Sequence, residues 1–155
     1  MMGVISSNRE KAANDSISLV FVEAISQTLQ REKTSINQFV WHFPDSENHE
    51  TINYPSAGAS TDLYLVGDNT GLVVRSVSKS EFQSGLPDTA NLNEAFLISV
   101  VLDSSPSTNL AGSNTKTMSE TIGADPLIRM EISVESPANA PEAGRQKHAY
   151  LTRIR

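Results

Sequence analysis

"TDLYLVGDNTGLVVRSVSKSEF", residues 61–82, reads as strand, tight loop, strand and short helix. Residues 62–66 and 72–77 carry the two strands, rich in Val, Leu and Tyr. The connection "GDNTG", 67–71, holds Gly, Asp and Asn, which tolerate positive φ, so Gly67, Gly71 or both are expected there. A phosphate-cradling loop needs a helix directly after it and often a Lys at its mouth. Here a strand follows and no Lys is present, so the loop is expected to reverse a sheet, with Asp68 to Thr70 exposed. Ser78 and Glu81 then have capping-box spacing, and Gly85 and Pro87 stop a helix of one or two turns.

Upstream, Ile17, Val20, Phe21, Ala24, Ile25 and Leu29 fall on one helical face. With Asn14, Asp15 and Ser16 suited to the N-cap, the spacing predicts a helix over 16–31. "INQFVWHF" alternates Phe39, Trp41 and Phe43 against Gln38, Val40 and His42, as a half-buried strand does. Residues 44–60 read as a polar loop. Downstream, "AFLISVVL", 95–102, is nearly all apolar and reads as a central strand covered on both faces. Ile128, Met130, Ile132 and Val134 alternate with Arg129, Glu131, Ser133 and Glu135, and 148–154 forms a last strand. The expected architecture is α+β: one N-terminal helix packed on a mostly antiparallel sheet of about six strands, with long polar loops. No βαβ rhythm supports a parallel sheet.

The 155 residues are expected to form a single domain with one core. Within it, 103–126 is an extended polar loop or arm with few core-forming residues. Cysteine is missing from the sequence, which excludes disulfides, thiolate metal sites and cysteine nucleophiles. The net charge of −6 argues against broad nucleic-acid binding, which needs a basic face. Any such contact is expected only through the basic C-terminal segment. The start, "MMGVISSNREKAANDS", has no apolar signal-peptide core, and the apolar runs are too short to span a bilayer. A soluble protein without membrane contact, cytoplasmic or within a virion-like assembly, is expected.

The densest titratable cluster is "WHFPDSENHE", with His42, Asp45, Glu47, His49 and Glu50. Its spacing matches no metal motif, and His42 and His49 are seven apart across a proline. The expectation is a solvated acidic loop, with no metal and no cofactor. No "GxSxG" elbow occurs, and nothing local selects a histidine for a Ser-His-acid site. Aromatics on one strand face are more often core than pocket.

These observations favour a non-enzymatic structural or interaction subunit. It would self-associate into a homo-oligomer, as a virion or tail component does, with other assembly proteins as further partners. Its expected subunit contacts are Leu110, Met118 and Ile122 on the arm and Arg145, Lys147, Arg153 and Arg155 near the C-terminus, offered to a net acidic body. The alternative is a small α+β ligand-binding protein, or an isomerase- or cyclase-type enzyme. Its apolar pocket would be lined by Phe39, Trp41, His42, Tyr64 and Phe96, and His42, Asp62 or Glu94 would supply acid–base chemistry. A third reading is an acidic secretion-type chaperone with apolar grooves for an extended client.

Overall fold

The computed structural model describes residues 2–33, 37–44, 47–56, 58–87, 93–104 and 128–154, with side chains from Ser16 onward. The chain opens with helix α1 (Met2–Lys33) and the hairpin strands β1 (Gln38–His42) and β2 (His49–Asn53). Strands β3 (Ser60–Asp68) and β4 (Val73–Ser76), helix α2 (Lys79–Ser84) and strand β5 (Glu94–Asp103) follow. Strands β6 (Ile128–Ser136) and β7 (Gln146–Ile154) come last. All strand pairings are antiparallel. A five-stranded sheet runs β4-β3-β5-β6-β7, and β1-β2 stands as a separate two-stranded sheet. The α+β class and the antiparallel sheet match the sequence reading.

Helix α1 lies on one face of the large sheet. Phe21, Ile25 and Leu29 are fully buried there among Leu65, Ile98, Val100, Ile132 and Val134. Their spacing of four places them on one side of the helix, and their burial contributes about 1.5–3 kcal/mol per side chain. Ile17 packs against the same cluster without being fully buried. Phe21 meets the edge of Phe96 at 5.3 Å between ring centroids. The opposite face of the sheet carries a smaller cluster. Val66, Leu97, Phe82, Leu86 and Ala138 are buried together there under α2. Strand β5 is thus covered on both faces at Leu97, while Ser99 and Val101 beyond it are only half-buried.

Several boundaries differ from the sequence reading. Helix α1 begins at Met2 rather than near Ser16: "REKAA", 9–13, has good helix propensity but no apolar period to announce it. Strand β2 lies inside the segment read as a loop: its alternation contains a single buried apolar residue, Ile52. Strands β3 and β7 each extend two residues further N-terminally, through positions too polar to signal a strand. Gly67 lies in β3 rather than in the turn. Of the pair, only Gly71 has positive φ, at 95°. A Cβ on Gly67 would sit 2.4 Å from Cζ of Phe21, so that glycine is required by the helix approaching the sheet.

The side-chain N-cap of α2 forms as expected. The Ser78 hydroxyl accepts from the Glu81 N–H, and Gly85 ends the helix with φ of 91°. Leu110, Met118, Ile122 and Arg155 lie outside the described residues, as do Asp45 and nearly all of the 103–126 arm. The arm's first residues are held by their own chain: Asp103 pairs with Arg129, and the Ser104 N–H donates to the Ala59 carbonyl at 3.0 Å.

Candidate functional site

The β1–β2 hairpin folds back beside α1 because its inward face is aromatic. Tyr54, Phe39, Trp41 and Phe43 form a ladder of stacked rings, with centroids 5.9, 6.3 and 5.5 Å apart in turn. The Tyr54 hydroxyl donates to the Leu29 carbonyl at 2.7 Å, fastening the hairpin to the last turns of the helix. Burial, assisted by the Glu32 charge, pushes the Tyr54 hydroxyl well above its ordinary pKa, so it stays a neutral donor.

Between hairpin, helix and the β3–β4 turn lies an open groove of about 410 Å³. Ala24 and Thr28 form its helical wall. Trp41, His42, Phe43 and Pro44 form the hairpin wall, and Gly71, Leu72 and Val73 close it from the turn. The volume is within the range of small-molecule sites, about 300–1,000 Å³. The groove continues into exposed apolar surface: Val20 on α1 and Leu72 on the turn are each about half exposed. Val20 lies against Gly71, so helix and turn present one continuous apolar strip. Among the described residues that line it, His42 is the single titratable side chain. Glu50 stands directly across from Trp41 in the hairpin register.

The "GDNTG" loop holds its own carboxylate rather than a ligand. Asp68 accepts from the Thr70 N–H at 2.9 Å, the Thr70 hydroxyl at 2.6 Å and the Leu72 N–H at 3.0 Å. The Asn69 N–H donates to Asn93 and the Gly71 N–H to the Asp68 carbonyl. The loop amides are therefore engaged within the chain. Desolvation pushes the Asp68 carboxyl up. The hydrogen bonds from Thr70, Leu72 and Gly71 outweigh it and hold the group below its ordinary value.

The other candidate residues are dispersed. Phe39, Trp41 and His42 share the hairpin, whereas Phe96 is buried under α1 and Tyr64 packs on Phe82 across the sheet. Glu94 is bound by Arg75 through two contacts of 2.6 and 3.3 Å. Asp62 is exposed on β3. Arg145 is fully buried against Glu135 at 3.1 Å, donates to the Ala140 carbonyl at 2.8 Å and lies 4.7 Å over the Phe82 ring. It fastens the loop before β7 to α2. Lys147 pairs with Glu142 at the surface, and Arg153 is exposed on β7.

One pairing was not legible in the sequence. The hairpin register sets His42 directly opposite His49, with ring centroids 5.9 Å apart. A spacing of seven across a proline shows only that the two share no helical face. A recognised strand over 49–53 would have paired them, but only Ile52 marks that strand.

No helix is long and apolar enough to cross a membrane among the described residues. Compared with protein-family models, curated proteins and solved structures, the chain gives no match.

Proposed function

We propose that this protein is a non-enzymatic interaction subunit that self-associates, in the manner of a virion, tail or similar assembly component. The observation that carries this reading is the apolar strip of Val20, Leu72 and Trp41, continuous with the groove. Solvated apolar surface of this kind on a net acidic chain favours a protein partner. Among the described residues lining the groove only His42 is titratable, so no second acid–base group stands beside it there. Elsewhere the ion pairs Arg75–Glu94 and Arg145–Glu135 hold the fold together.

A second copy is the occupant that charge favours. Strand β7 ends the sheet as a nine-residue edge carrying Lys147 and Arg153. Glu50 stands opposite Trp41 on the hairpin, and Glu23 is exposed on the same helix as Val20. A head-to-neighbour contact of basic edge with acidic, apolar-centred face is electrostatically favourable and weakens with salt. Arg145 has no part in it, being committed to Glu135.

Light scattering at micromolar concentration tests the reading. The wild-type chain is expected as a discrete oligomer, and Val20→Glu with Leu72→Glu is expected to lower its mass. Both side chains are about half exposed, so the fold should survive, as circular dichroism would verify. A wild-type chain that stays monomeric to high concentration refutes self-association. It would shift the groove to the second reading, a small apolar ligand resting on Trp41, which the groove's volume favours.

A further inference from the structure

We infer that His42 and His49 form a two-imidazole site for a divalent transition ion of the Zn²⁺, Ni²⁺ or Cu²⁺ class. Neutral imidazole suits these ions, and selectivity among them rests on geometry rather than on ligand type alone. The geometry follows from the hairpin. The Phe43 N–H donates to the Asn48 carbonyl at 3.1 Å, and the Tyr54 N–H donates to the Asn37 carbonyl at 2.9 Å. Both bonds fit the same register that sets His42 opposite His49. Hydrogen-bonded and non-hydrogen-bonded pairs alternate along an antiparallel ladder, and directly opposite side chains stand closest in the second kind. Counting from either bond, His42–His49 is a non-hydrogen-bonded pair, the position at which two cross-strand side chains meet most closely.

The rings are already near a chelating separation. Two imidazoles on one tetrahedral ion, with metal–nitrogen bonds of about 2.0–2.1 Å, hold their centroids about 5 Å apart. The observed 5.9 Å closes to that by side-chain rotation, without moving the backbone. Both histidines are exposed, so nothing packed above them opposes the rotation. The same hairpin face carries a second cross-strand contact, a hydrogen bond from Gln38 to Asn53, which pins the register at the far end. The ladder therefore fixes which two imidazoles stand opposite each other.

No group of three or more His, Cys, Asp or Glu side chains with metal-holding geometry occurs among the described residues. The site thus supplies two ligands and leaves the remaining coordination positions to water or an outside donor. Its affinity is accordingly well below that of closed four-ligand structural sites. The pair stands on the hairpin face opposite the aromatic ladder, where the open coordination positions face solvent. Binding by the two imidazoles does not depend on self-association.

Isothermal titration with ZnCl₂, and separately with NiCl₂, tests the site on the full chain. One saturable event is expected. His42→Ala and His49→Ala should each weaken it by about ten-fold or more, since even a group behind a ligand typically contributes that much. His148→Ala, on β7, should bind as the wild type does. The imidazole proton signals of His42 and His49 should shift together on adding Zn²⁺, with those of His148 unmoved. A stoichiometry of one ion per chain, or of one per two chains with doubled mass in light scattering, both support the site. Absence of saturable binding up to millimolar ion refutes it, as does unchanged affinity in either single variant.

Discussion

Replacing Gly67 by Ala should destabilise the protein through packing rather than through backbone strain. Gly67 lies within β3, and its φ is not positive, so the backbone itself accepts alanine. The added Cβ would stand 2.4 and 2.5 Å from two ring atoms of Phe21 and 3.2 Å from Cδ1 of Ile98. Carbon atoms in good contact are about 3.5–4.0 Å apart, so the ring must retreat by roughly an ångström. It has little room to do so, being fully buried with the edge of Phe96 against it. Overpacking of this degree costs about 1–3 kcal/mol. The reduced freedom of the unfolded chain returns about 0.4–1 kcal/mol at a compatible position. The packing term is the larger, and a net loss of about 1–2 kcal/mol is expected, or roughly 2–8 °C in Tm for a chain of this size. Urea denaturation measures the loss, and the Phe21→Leu background provides the control. Leucine leaves room for the new methyl group, so the Gly67 penalty should shrink there, giving a measurable coupling in a double-mutant cycle. A Gly67→Ala protein as stable as the wild type, or an undiminished penalty in the leucine background, would refute the proposed approach of α1 to the sheet.

Asp68→Ala should cost about 0.5–1.5 kcal/mol near neutral pH, because the exposed loop donors exchange the carboxylate for water. The folded-state pKa of Asp68 is depressed, so its contribution is present above the unfolded value and disappears as pH falls through the folded one. The difference between wild type and variant should therefore narrow below about pH 4. A gap that stays constant to pH 2 would show that the carboxylate charge is irrelevant. Arg145→Met should cost about 3–5 kcal/mol, since it leaves buried Glu135 without its cation. Adding Glu135→Leu should recover much of that loss, and thermal unfolding that shows no recovery would argue against an isolated buried pair.

The sequence by itself determined the elements whose own residues carry the signal. The alternation over 128–135, the apolar run over 95–102 and the helical face of Phe21, Ile25 and Leu29 each state a period and a buried side. Burial of that side is what folding requires of them. The capping of α2 was equally local, because Ser78 and Glu81 satisfy the backbone within one turn. Only the tertiary structure decided the rest, and the reason is the same in each case: the determinant lies on a different element. Strand β2 exists because β1 offers it a ladder, not because "HETIN" demands one. Gly67 is fixed by Phe21, more than forty positions earlier, and Arg145 is committed to Glu135 and Phe82 instead of facing solvent with its basic neighbours. The groove requires α1, the hairpin and the β3–β4 turn together. The meeting of His42 and His49 required the hairpin register, which no spacing along the chain records.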